Sequence, residues 1–134
     1  MRKLDPLEEF LIWSGEIAFY DLHNEYQKAD AFVFASSCEN LPNILIEAMK
    51  DGLPIACSKI GPMPEVLGSE GVYFDTLQPQ DIAIAMRALM QDADLRTDLA
   101  AQAKVLSQEY SWHLSAKQTF EFIAAVAAQR KAAN

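Results

Sequence analysis

Ser36-Ser37-Cys38-Glu39-Asn40-Leu41-Pro42-Asn43-Ile44-Leu45-Ile46-Glu47-Ala48-Met49 is the stretch on which the fold turns. It begins where an apolar, aromatic run, Ala31-Phe32-Val33-Phe34-Ala35, gives way to two serines. It then enters a segment whose apolar residues Leu41, Ile44, Leu45, Ala48 and Met49 share one helical face. Pro42 suits a first helical turn, where a missing N–H costs little. Asp51-Gly52 supplies the stop. The reading is strand, loop, helix, with the helix over 41–50.

The same alternation continues on both sides. Upstream, Phe10-Leu11-Ile12-Trp13, closed by Ser14-Gly15, has the pattern of a buried strand, and a short helix follows over 21–28. Downstream, Pro54-Ile55-Ala56-Cys57 and Gly71-Val72-Tyr73-Phe74-Asp75 are two more strands, with the loop Gly61-Pro62-Met63-Pro64 between them. Three helical stripes close the chain: Ile82, Met86, Leu89 and Met90; then Leu95, Leu99, Ala103 and Leu106; then Trp112, Ala116, Phe120, Ile123 and Ala127. Strands that are apolar throughout and separated by helices form a parallel sheet covered on both faces. The fold class is therefore α/β: a Rossmann-like three-layer α/β/α arrangement on a short parallel sheet of four strands. Residues 1–134 read as a single domain without repeat or linker. Trp13, Trp112 and the phenylalanines are assigned to the core.

Composition narrows the function. Eleven Lys and Arg against nineteen Asp and Glu leave a net charge of −8. A nucleic-acid binder needs clustered positive charge, so no nucleic-acid partner is expected. An acidic membrane surface is an equally poor match. No run approaches the ~18 apolar residues of a spanning helix, and Glu8-Glu9 interrupts any secretory h-region. Cys38 and Cys57 make neither CxxC nor zinc spacing. They read as small hydrophobes, with a disulfide left open because both fall at strand ends.

The chemistry is expected where the first helix of the decisive stretch begins. Ligands of parallel sheets gather at the carboxyl ends of the strands, and a helix start offers free N–H groups and the positive end of a dipole. Asn40, Asn43 and Glu47, at i, i+3 and i+7, lie on one face. Glu47 sits two turns into an apolar helix and needs a partner: a backbone amide, a hydroxyl, solvent or a ligand. Glu39 lies eight residues earlier, about 12 Å along a helical axis. That exceeds the ~5–9.5 Å of a glycosidase carboxylate pair. It suits the two ends of an elongated ligand whose phosphates sit between them, as in a nucleotide sugar.

These residues, with Ala48-Met49-Lys50-Asp51-Gly52-Leu53-Pro54-Ile55 behind them and Gly61-Pro62-Met63-Pro64-Glu65-Val66 further on, resemble the C-terminal domain of GT-B glycosyltransferases of the retaining group 1 (family 4) class. Ile12-Trp13-Ser14-Gly15, the run from Tyr26 to Ser36 and Tyr110-Ser111-Trp112 are similar to the flanking elements of that family. The resemblance covers roughly 11–122. It implies a partial C-terminal, nucleotide-sugar-binding domain, with the N-terminal acceptor domain absent from this chain. It implies transfer of a hexose, with retention, from a nucleotide sugar to a saccharide or glycolipid acceptor in the intact enzyme.

By resemblance, Glu39 contacts donor-sugar hydroxyls and is the catalytic candidate. Glu47 holds the ribose hydroxyls. Asn40, Leu41, Pro42, Asn43 and Ile44 line the donor sugar and distal phosphate. Many members carry a glycine-phenylalanine-glycine run where this chain has Asn40-Leu41-Pro42-Asn43. The resemblance implies no metal and no cofactor, the nucleotide sugar being substrate. It implies a cytoplasmic place, at the membrane periphery as part of a larger enzyme, in polysaccharide biosynthesis. The isolated chain is expected to be inactive.

The competing expectation is a non-catalytic remnant or interaction module that keeps the fold. Phe120, Ile123 and Ala127 would then lack their usual cover, so a homo-oligomer, or the missing N-terminal half as a partner chain, is expected. A receiver-type signalling domain lacks its acidic residues, since the strands end in Ser14-Gly15 and Ser36-Ser37. The five glycines never form GxGxxG, and no GxSxG occurs. His23 and His113 stand alone in the sequence and read as surface or packing residues.

Overall fold

A computed structural model describes residues 5, 6 and 9–132. Its elements are α1 (Leu22–Gln27), β1 (Phe32–Phe34), α2 (Asn43–Asp51), β2 (Ile55–Ser58), α3 (Met63–Leu67), β3 (Val72–Phe74), α4 (Pro79–Gln91), α5 (Ala93–Leu106) and α6 (Trp112–Ala132). Two 3-10 turns, Phe19–Asp21 and Ser107–Glu109, precede α1 and α6.

The sheet has three parallel strands in the order β1-β2-β3. Phe32 pairs with Ile55, and Ala56 pairs with Val72. Period-2 alternation divides its side chains between two cores. One face carries Phe32, Phe34, Ile55, Cys57 and Tyr73 against α2, α3 and the C-terminal half of α5. The other carries Ala56, Val72 and Phe74 against Ala85 and Leu89 of α4 and Leu95 and Leu99 of α5. The layered parallel architecture thus agrees with the sequence pattern, and α5 belongs to both cores.

The expected fourth strand, Phe10 to Trp13, is not formed. The backbone N–H groups of Phe10 and Leu11 donate to the Asp5 carboxylate at 2.8 and 2.7 Å, so they are not available to a ladder. In the doubly wound strand order the strand preceding this half of the sheet lies at the far edge, away from β1. No described strand adjoins Phe10–Trp13, and Ile12 and Trp13 are 83% and 78% exposed. Apolar runs without a partner strand do not become strands.

Three further expectations change. The Gly/Pro loop contains α3, because Pro62 and Pro64 occupy the start of a helix, where proline is tolerated. Of the large aromatics assigned to the core, Phe74 is buried, whereas Trp13, Trp112, Phe10, Phe19, Phe120 and Phe122 are exposed. In α4 the buried stripe runs through Ala85 and Leu89, leaving Met86 and Met90 outside. The α2 stop is as read: Gly52 adopts φ 76°, and its N–H caps Ala48 and Met49. Both cysteines are free thiols, Cys38 exposed and Cys57 buried.

Burial has a consequence for pH. It pushes the Cys57 thiol up to about 12. It also raises the Tyr73 phenol, with help from the charges of Cys57 and Glu70. The unfolded chain gives up these protons near the ordinary values, from about pH 9 for the thiol. The folded chain holds them longer, so the native state binds more protons above pH 9 and stability falls as pH rises toward 12. For Cys57 the slope is on the order of 1.4 kcal/mol per pH unit. Urea unfolding at pH 8, 9.5 and 10.5 checks this, and Cys57→Ala should flatten the first part of the decline.

Candidate functional site

The loops after β1, β2 and β3 all leave the carboxyl edge of the parallel sheet. The first loop turns directly into α2. Pro42 is buried, and its carbonyl accepts from Leu45 and Ile46 N–H at 3.0 and 3.2 Å. Asn43 N–H donates to the Leu41 carbonyl at 2.9 Å. No side chain caps the helix, and the N–H of Ile44 meets no acceptor among the described residues. The helix start therefore keeps an open donor beside the positive end of its dipole.

Each of the two carboxylates is held by a hydroxyl. Glu39, half-buried in the loop, accepts from Ser36 Oγ at 2.6 Å. Glu47, half-buried on α2, accepts from the Tyr26 hydroxyl at 3.2 Å. Burial, then the Glu47 charge and the bond to it, push the Tyr26 phenol up to about 12. Nearby, His23 Nδ1 contacts Asp51 Oδ1, and Gln27 Nε2 donates to the Asp51 carbonyl at 3.4 Å. These bonds tie α1 to α2 along the side from which Glu47 projects. Of the hydroxyl, amide or solvent that Glu47 required, the structure supplies a hydroxyl.

Asn40 precedes α2, so the expected shared face runs through Asn43 and Glu47 only. Even these two meet different neighbours. Glu47 bonds α1, whereas Leu41 and Asn43 line a cleft of about 510 Å³ between α2 and the start of α6.

Two residues of the carboxyl edge escaped the sequence reading as a pair. Lys59 Nζ lies 3.2 Å from Asp75 Oδ2, across the ends of β2 and β3. The N–H of Leu77 and the Lys59 ammonium hold the Asp75 carboxyl below its usual range, against a smaller opposing effect of burial. The cation closest in sequence to the β2 loop is thus already engaged. Lys50 is exposed in the last turn of α2, away from the helix start. Nothing in the sequence pairs Lys59 with Asp75, which depends on strand register. No group of three or more His, Cys, Asp or Glu is placed to hold a metal among the described residues.

A family model for glycosyl transferases, group 1, matches residues 5–106. The chain is 26% identical over 106 residues to a sulfoquinovosyl transferase of Arabidopsis thaliana, covering 75% of this chain and 21% of that protein. It is 29% identical over 112 residues to the O-antigen chain mannosyltransferase B of Escherichia coli, covering 84% and 29%. It is 32% identical over 103 residues to a D-inositol 3-phosphate glycosyltransferase of Corynebacterium urealyticum, covering 75% and 24%. The chain thus spans between a fifth and a third of the length of these relatives. Among solved structures, the sucrose-phosphate synthase of Thermosynechococcus elongatus superposes with a TM-score of 0.85 at 21% identity, over 96% of this chain and 33% of that one. No described helix is long and apolar enough to cross a membrane.

Proposed function

The chain belongs to the group 1 glycosyl transferases, and on that footing we propose that it forms the donor half-site of a hexosyltransferase that uses a nucleotide sugar. The observation that supports this most directly is that Glu39, in the loop leading into α2, and Glu47, within α2, each have a carboxylate fixed by a hydroxyl, with the open α2 start between them in the sequence. Glu47, steadied by Tyr26, takes the two ribose hydroxyls as a double acceptor. The Ile44 N–H and the α2 dipole meet the distal phosphate. Glu39, with Asn40 to Asn43, takes hydroxyls of the donor sugar and is the residue nearest the chemistry. In the intact enzyme the hexose passes with retention, in the manner of the family 4 class, to a saccharide or glycolipid. The proposed setting is cytoplasmic, at the membrane periphery, and the reaction as proposed draws on no resident cofactor.

The isolated chain binds this donor weakly and turns over nothing. Its net charge of −8 and the engagement of Lys59 by Asp75 leave a diphosphate poorly neutralised. Titrating UDP, GDP and ADP and their sugar conjugates, followed by amide NMR, tests the reading. Shifts confined to 39–47 and 61–65 are the expected result. Silence at millimolar ligand, or rapid transfer or donor hydrolysis by the chain alone, would sink the corresponding half of the proposal.

One observation favours a second reading, an interaction module. Phe120 and Ile123, which share one side of α6, are 71% and 55% exposed. Such a face tends to find another chain, either a second copy or the N-terminal half of the enzyme. A concentration-dependent elution volume would support it, and a strictly monomeric profile would count against self-association.

A further inference from the structure

The cleft between α2 and the start of α6 borders the proposed donor site, since Leu41 and Asn43 line it, but neither Glu39 nor Glu47 does. Its volume of about 510 Å³ falls in the range of roughly 300–1,000 Å³ typical of small-ligand sites. Leu41 and Ile46 contribute an apolar floor from the α2 side, and Trp112 adds an indole that is 82% exposed. Around them stand Asn43, Ser115 and Gln118. None of these three side chains has a hydrogen-bond partner among the described residues.

The geometry points to this cleft as a binding site for a neutral saccharide. A pyranose ring has a face of C–H bonds and a rim of hydroxyls, each both donor and acceptor. An exposed indole covers such a face, removing apolar surface from water. Carboxamides and hydroxyls offer donor and acceptor together and match the rim. Other occupants fit less well. A phosphate-bearing ligand would find Lys50 opposed by Glu109 in the same lining, within a chain of net charge −8. An apolar ligand or helix would bury the amides of Asn43 and Gln118 unpaired, which costs free energy. The site rests on the cleft itself and does not depend on Glu47 or on a nucleotide.

The chain has only two tryptophans, Trp13 and Trp112, so their indole N–H resonances report separately. Mannotriose, maltotriose and cellotriose are titrated into the nitrogen-15-labelled full chain up to tens of millimolar. With at least one of them, the Trp112 indole and the Asn43 and Gln118 side-chain amides should move together while the Trp13 indole stays. Trp112→Ala should weaken that binding tenfold or more, read on the Gln118 amide, and Gln118→Ala should weaken it severalfold, read on the Trp112 indole. Both side chains are exposed, so neither change threatens folding. The proposal is overturned if no trisaccharide moves the Trp112 indole, if both indoles move alike, or if Trp112→Ala binds as the parent does. The nucleotide reading fails separately: Trp112→Ala should keep the parent's response to UDP or GDP at Glu47.

Discussion

Glu47→Ala is expected to weaken binding of a nucleoside diphosphate to the chain by tenfold to a hundredfold. The side chain is held half-buried against α1 by the Tyr26 hydroxyl, so the carboxylate is oriented before any ligand arrives. A hydrogen bond to a charged acceptor contributes about 1.5–3 kcal/mol, and each 1.4 kcal/mol is a factor of ten in affinity. A net loss of one such contact therefore spans the stated range. Tyr26→Phe leaves the carboxylate in place without its anchor and should cost severalfold. Glu25→Gln, exchanging an acid on α1 whose recorded ion pair is with Lys28, should change little. Calorimetric or NMR affinities for UDP, GDP or ADP decide the matter. Equal affinity for Glu47→Ala and the parent would remove Glu47 from the proposed site.

Phe74→Ala should lower the unfolding free energy by about 3–5 kcal/mol. Phe74 is the largest fully buried side chain and lies on the sheet face that α4 covers, in one cluster with Ala85, Leu89 and Leu99. Truncation removes its transfer free energy and opens a cavity between two rigid layers. For a domain of ordinary stability, about 5–15 kcal/mol, that is a large share of the total. Phe120→Ala should cost less than about 0.5 kcal/mol, because that ring is already in water. If Phe74→Leu keeps most of the stability that Phe74→Ala loses, lost packing volume is the cause. Denaturant midpoints of the three variants separate these cases, and a cost below about 1.5 kcal/mol for Phe74→Ala would mean that α4 does not cover the sheet as described.

The parallel layers were legible because their signals are local. The runs at 32–34, 55–58 and 72–74 are short, apolar and bounded by turn residues. The α2 start and its Gly52 stop follow from capping chemistry that a few neighbours determine. The strand expected at Phe10 to Trp13 failed for a non-local reason. Its apolar pattern is real, but a strand needs a partner, and the amides of Phe10 and Leu11 are instead satisfied by Asp5. The short helix α3 was hidden because proline reads as a breaker unless its place in the first turn is known. At the site, the residue types and the need of Glu47 for a partner could be read directly. That the partner is Tyr26, and that Lys59 is engaged by Asp75, depend on how α1 packs and how β2 and β3 align. The misplaced aromatics share one cause: apolar character says what a side chain prefers, not whether a neighbour exists to cover it.

Helix α5 gives Leu95 and Leu99 to one core and Ala103 and Leu106 to the other. Peeling away either helical layer would uncover half of that one helix, so neither layer can open without loosening the other. The sheet and the helices from α2 to α5 should thus behave as one cooperative unit, with amides of β2 and α5 exchanging with deuterium only through global unfolding. The exposed turns of α6 stand outside that coupling and should exchange orders of magnitude sooner.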